Sequence, residues 1–143
     1  MAPRYDIRWL ELERVIEINY VDVEIVDDET FDRWRDAVLA GLSEIRDRVG
    51  GRVPLIVCTH GLRLAAAMGA RYSAELAMPI AHEFATIIAR YGASGSTSRV
   101  VAVEAMRRAV NLPDPVARER AFGANTFGTR EEALEFVRTH RDA

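Results

Sequence analysis

Apolar and polar positions change period several times along the chain, and each change marks an element. Residues 5–10 alternate, with Tyr5, Ile7 and Trp9 set against Asp6 and Arg8. Val15–Val21 again has period two, placing Ile16, Ile18 and Tyr20 opposite Glu17 and Asn19. This period suits half-buried strands, and the charged Glu11, Glu13 and Arg14 between the two runs predict an antiparallel hairpin. Phe31, Trp34, Val38, Leu42, Ile45 and Val49 then recur every three or four residues, which puts them on one stripe of a helix. Asp27 and Asp28 supply acceptors and negative charge at its start, and Gly50-Gly51 supplies a left-handed stop. Val53–Cys58 is almost wholly apolar, the pattern of a central strand covered on both faces, with Pro54 tolerated near its beginning.

Beyond it, the alanine-rich residues 63–78 predict partial helix without clear boundaries. Pro79 suits a first helical turn, and Ile80, Phe84, Ile87, Ile88 and Tyr91 predict a helical face ending at Gly92. Residues 92–98 read as a Gly/Ser loop and Arg99–Glu104 as a second buried strand. Ala105–Val110 reads as helix, and Pro113 and Pro115 break the chain before a short helix near Arg118. Asn125–Phe127 predicts a brief last strand. Thr129-Arg130-Glu131-Glu132 is a capping box opening a helix through Ala133, Leu134, Phe136 and Val137. The order β-β-α-β-α-β-α-β-α predicts an α/β fold: a mixed β-sheet of about five strands, an antiparallel N-terminal hairpin and helices packed against the sheet. No repeat or linker divides residues 1–143, which read as a single domain.

Composition narrows the functional classes. A chain that is 49% hydrophobic and 29% charged is not a disordered one. Its net charge of −3 gives no electrostatic basis for binding nucleic acid or an anionic membrane surface. All 19 basic residues are arginine, as codon bias in a GC-rich genome would produce, and the lack of lysine excludes a Schiff base or a P-loop lysine. One cysteine excludes an internal disulfide. No apolar run approaches the ~18 residues of a membrane span, and Met1–Asp6 lacks the apolar run of a signal peptide. The expected location is the cytoplasm.

Two segments carry a family resemblance. Leu55-Ile56-Val57-Cys58-Thr59-His60-Gly61-Leu62 looks like the strand-to-loop segment of STAS domains, usually Asp-x-Ser-Gly, and Phe127-Gly128-Thr129-Arg130-Glu131-Glu132-Ala133-Leu134 looks like their last strand and helix. With the element order, the chain resembles the STAS family, in particular its bacterial SpoIIAA-like branch. The resemblance implies a regulatory or ligand-binding module without chemistry of its own, taking a protein partner or a small apolar ligand and able to form a homodimer. The family's phosphorylatable serine falls on His60 and its aspartate on Cys58, so its phosphoswitch is expected to be absent unless Thr59 has taken it over.

Residues 58–63 are therefore the candidate binding segment: Cys58, Thr59, His60, Gly61, Leu62 and Arg63, at the C-terminal end of a strand, where open α/β sheets place their sites. If the strand continues to His60, Cys58 and His60 share a face and imidazolium could activate the thiol; otherwise Cys58 is a small buried hydrophobe and His60 a loop residue. The same segment resembles the active loop of rhodanese-type sulfurtransferases, which implies a thiol enzyme using Cys58 with Arg63, the loop N–H groups holding an anion. The acidic Asp-x-Arg strand and Gly-His-Ile-Pro-type segment of that family are missing, and a phosphatase loop would need its arginine where Leu64 stands. Residues 92–98 lead into a strand and lack lysine, unlike a P-loop. His82 has Met78, Pro79, Ala85 and Thr86 at helical spacing, and His140 suits a helix C-terminus, so neither marks a metal site. The expectation is a module with neither metal nor cofactor, with thiol catalysis at Cys58 and Arg63 as the alternative.

Overall fold

A computed structural model describes residues 3–92 and 126–141. Its centre is a six-stranded mixed sheet in the order β1-β2-β3-β5-β6, with β4 paired to the far end of β2. Strand β1 (Arg4–Leu10) and strand β2 (Val15–Ile25) form the expected antiparallel hairpin, and it belongs to the main sheet. Helix α1 (Asp28–Val49) returns the chain so that β3 (Val53–Cys58) lies parallel to β2. Strand β3 is central, between β2 and β5, and its four middle residues are buried. A brief strand β4 (Leu62–Leu64) follows, then a helical run over residues 66–84, called α2 here. The final elements are β5 (Ala85–Tyr91), β6 (Thr126–Phe127) and α3 (Arg130–His140).

The ends of α1 form as its sequence predicts. The Asp27 carboxylate accepts from the Thr30 backbone N–H at 2.8 Å, while Gly50 closes the helix at φ 89°, a conformation that costs glycine little. In α3, the Thr129 hydroxyl accepts from Glu132 N–H at 3.2 Å. Glu132 does not complete the box through the Thr129 backbone as expected; its carboxylate takes the Thr129 hydroxyl proton at 3.1 Å.

Two helical faces cover the sheet. One face meets α1 and α2 through Ile16, Ile18, Tyr20, Leu55, Val57 and Ile88. The other meets α3 through Val15, Ile56, Ile87, Ala89 and Tyr91. Burial of both faces explains why β3 and β5 read as nearly continuous apolar runs.

The sequence expectation of one helical face over 80–91 is corrected here. Ile80–Phe84 is a π-helical turn, and the chain then becomes strand β5. Ile87, Ile88 and Tyr91 match helical spacing, but they lie in a run buried on both faces, and periodicity cannot separate a short doubly buried strand from a buried helix. β4 was also unforeseen, because its three residues are too few to establish a period. The strand expected at Arg99–Glu104, the helix at Ala105–Val110, the loop at 92–98 beyond Gly92 and the helix near Arg118 lie outside the described residues.

Candidate functional site

The expected segment, residues 58–63, sits where β2 and β3 kink together. Asn19 pairs with Cys58 and Val23 with Leu62, so the parallel register survives the kink. Inward-facing positions nevertheless change parity along β2 and from β3 to β4: Ile18 and Tyr20 give way to Val23 and Ile25, and Leu55 and Val57 to Leu62 and Leu64. Between them Thr59 N–H donates to Tyr91 O at 3.1 Å, and Gly61 N–H donates to Tyr20 O at 3.0 Å. A Cβ on Gly61 would stand 2.2 Å from Val21 O and 2.3 Å from Tyr20 O, so no side chain fits there. Glycine is required at 61 by close backbone approach.

The candidate side chains disperse from this kink. Cys58 ends β3, half-buried, packed with the cluster facing α3. The strand stops there, so the arrangement that required its continuation to His60 does not form; His60 is an exposed turn residue. A Cβ on Gly92, which has φ 69°, would meet Cys58 Sγ at 3.0 Å and His60 Cβ at 3.3 Å, so these two residues flank the end of β5. Thr59 is 3% exposed, and Leu62 is core. Arg63 points into an acidic setting: its Nη2 donates to Asp22 at 2.7 Å and lies 3.5 Å from Glu24. The hydrogen bond to Asp22 raises the Arg63 pKa. Arg63, Asp22 and Glu24 border a broad open hollow of about 810 Å³ that Tyr5 and Trp34 also line. His82 is exposed, and His140 packs on Phe136 with ring centroids 4.5 Å apart.

Two charged residues missed by the sequence reading are buried, one on each face of the sheet. Glu17 in β2 is 1% exposed and faces α3. It accepts from Arg130 Nε at 2.7 Å, Arg8 Nη2 at 2.9 Å and the Tyr91 hydroxyl at 2.5 Å. Because β3 lies between β2 and β5, the Tyr91 ring reaches across β3 to make this bond. Burial alone would push the Glu17 carboxyl up, but the hydrogen bonds from Arg130 and Tyr91, with the charges of Arg130 and Arg8, hold it below its ordinary value. Tyr91 moves the other way, pushed up by burial and by the proton it gives to Glu17. The group has all its partners and ties the start of α3 to the sheet.

Arg90 in β5 is different. It is 6% exposed and faces α1 and α2, yet its Nε–H has no hydrogen-bond partner among the described residues. The guanidinium borders a narrow cavity of about 20 Å³ whose other walls are Ile18, Tyr20, Leu55, Val57, Tyr72, Ala77, Ile80 and Ile88. None of these is an acid. Burial pushes the Tyr20 phenol well above its ordinary value, with the Arg90 charge opposing, so Tyr20 is a neutral donor. Trp34 stacks on Tyr72 with centroids 6.1 Å apart and meets Tyr20 edge-on at 5.6 Å, forming an aromatic wall between the cavity and the hollow.

α2 roofs this cavity, and its backbone is irregular. A 3-10 turn at Ala66–Met68 and an α-helical turn at Gly69–Tyr72 lead into π-helical turns at Ser73–Ala77 and Ile80–Phe84. π turns are rare and concentrate at functional sites. Outside, α2 is fastened to α1 by ions: Arg71 reaches Glu75 and Asp32 at 2.6 Å and Asp28 at 3.0 Å, and Arg35 also bonds Glu75. Arg71 lies 4.3 Å above the Phe31 ring centre and Arg46 4.8 Å above that of Phe84. Arg35 and Arg46 are thus partly covered.

Comparison with family models, curated proteins and solved structures finds no match to this chain. Among the described residues no helix is long and apolar enough to cross a membrane.

Proposed function

We propose that the chain is a non-enzymatic, SpoIIAA-like module that binds a small ligand with an apolar body between the sheet and α2. The observation that carries this reading is the cavity itself: aliphatic walls, two tyrosines and one buried guanidinium under a helix with two π turns. Predominantly apolar concavities with a few convergent polar groups are the usual form of small-molecule sites. The antiparallel hairpin within a mixed sheet agrees with the STAS-like resemblance. The covered hydroxyl-bearing Thr59 fits a module without the family's phosphoswitch. The thiol-enzyme alternative gains no support from Arg63, whose guanidinium is engaged by Asp22 and Glu24.

The test uses Trp34, which touches the cavity wall through Tyr20 and Tyr72. In a Trp9→Phe background, titration with hexan-1-ol and with hexanoate should change Trp34 emission saturably for at least one of them. Ala77→Leu, which fills the cavity, should abolish the change. Absence of any saturable response, or a response indifferent to Ala77→Leu, would refute the proposal.

A further inference from the structure

Resting on that reading, the unpartnered Nε–H of Arg90 specifies the ligand's head: we infer that the cavity takes a small monocarboxylate, its carboxylate on Arg90 and its apolar tail along the tyrosine and aliphatic walls. The argument begins with Arg90. Arginine stays protonated under any condition in which the protein folds, and a charge held away from water requires a partner of opposite sign. Arg90 is more than nine-tenths buried, its Nε–H is unsatisfied, and no carboxylate stands among the residues lining the cavity with it. Among the described residues the walls supply no negative charge, and we assign it to the ligand.

The chemistry of the walls selects among anions. Guanidinium presents parallel N–H donors that match two carboxylate oxygens. Tyr20 and Tyr72 add neutral phenols at the same cavity, whereas Ile18, Leu55, Val57, Ala77, Ile80 and Ile88 offer only apolar contact. A phosphate or dicarboxylate would bring a second negative charge or further oxygens among these aliphatic groups without donors to meet them. A monocarboxylate matches one cation with one charge and puts carbon against carbon. The cavity of about 20 Å³ admits about one water, so both head and tail must part α2 from the sheet. The packing of α2 through π turns offers a region where such displacement breaks few regular helical bonds.

Isothermal titration of the full chain with hexanoate, hexan-1-ol and hexanamide tests this. Hexanoate should bind about 10- to 100-fold more tightly than either neutral analogue, the range of a charge-assisted bond, and Arg90→Met should bring hexanoate down to their level. Arg90→Met also removes a buried charge, so its fold is verified first by circular dichroism; Arg90→Gln, which keeps donors without charge, gives an independent second variant and should show the same loss. Equal binding of all three compounds, or binding of hexanoate unchanged in both variants, would overturn the carboxylate inference and leave the apolar-ligand reading standing. Failure of all three to bind would overturn both.

Discussion

Arg90→Met should stabilise the protein when no ligand is present. Methionine keeps an unbranched side chain of similar length and lets it pack against Ile18, Leu55, Val57 and Ile88. Two costs disappear with the guanidinium. The unsatisfied Nε–H is a buried donor, a class of defect worth about 1–3 kcal/mol. The desolvated charge adds a penalty of up to several kcal/mol for an ion without full compensation. Taking the unsatisfied donor alone, the net gain expected is about 1–3 kcal/mol. For 143 residues, an unfolding entropy of roughly 2.1 cal/mol/K per residue gives about 0.3 kcal/mol per degree, hence a rise in Tm of about 3–10 °C.

Urea denaturation followed by circular dichroism, with a calorimetric Tm, measures this directly. The midpoint should rise while the dependence on urea concentration stays constant, since the change alters stability and not the surface exposed. Ile88→Ala, made in parallel on the same cavity wall, should cost about 2–5 kcal/mol. A loss of more than about 1 kcal/mol in Arg90→Met, with unchanged urea dependence, would show that the guanidinium is already compensated and would refute the reasoning.

Gly61→Ala should destabilise by at least about 1–3 kcal/mol, because the new methyl meets the backbone oxygens of Tyr20 and Val21; urea titration checks it, and an unchanged midpoint would mean the β2–β3 kink opens freely. Tyr91→Phe removes a hydrogen bond to the buried Glu17 carboxylate and should cost about 1–3 kcal/mol. It should also raise the Glu17 pKa, and since a lowered carboxylate pKa stabilises the fold above its unfolded value and ceases to as pH falls through the folded one, acid unfolding should begin at higher pH in the variant. The Arg71 hydrogen bond brings the Glu75 carboxyl down to about 2 from its ordinary 4.5; its contribution to stability is therefore complete above 4.5 and lost on acidification toward 2. Glu75→Gln should flatten the stability profile over that interval, and an unaltered slope there would argue against the pairing of Arg71 with Glu75.

Elements with long or repeated patterns were legible in the sequence. The six apolar positions of α1 span its full length, the alternation in β1 follows its one more covered face, and that in β2 is kept by Glu17 and Asn19 standing among apolar residues. The β3 run and the α3 start were legible for similar reasons. The 80–91 segment was not, since it joins one π turn to a strand buried on both faces, and neither has a period of its own. The candidate segment was placed correctly at the end of β3, but its residues proved to be divided between a backbone junction at Gly61, a half-buried thiol and an acid-bound Arg63. Glu17 and Arg90 did carry a signal: each is a lone charge inside a run of Ile, Ala or Tyr. For Glu17 the alternation of β2 suggested an open face, which α3 in fact covers. For Arg90 the signal depended on recognising β5 as a strand.

The position of Arg90 gives the kink at residues 58–62 a role that its own side chains do not. Thr59 N–H holds the end of β5 through Tyr91 O, one residue beyond Arg90, while Gly61 N–H holds β2 through Tyr20 O, beside the cavity's first tyrosine. The loop therefore braces two walls of the cavity from outside, by backbone bonds. Tyr91 meanwhile sends its hydroxyl to Glu17 on the opposite face, fixing the strand on which Arg90 stands. The cavity floor is thus hydrogen-bonded across β2, β3 and β5, whereas its roof is packed on it through Tyr72, Leu76, Ile80 and Phe84 and tied outside by the ion pairs of Arg71 and Arg35 with Glu75 and neighbouring acids. The floor strands are joined by backbone hydrogen bonds, while α2 meets them through side-chain packing, so widening of the cavity comes from α2 moving outward, at the cost of that packing.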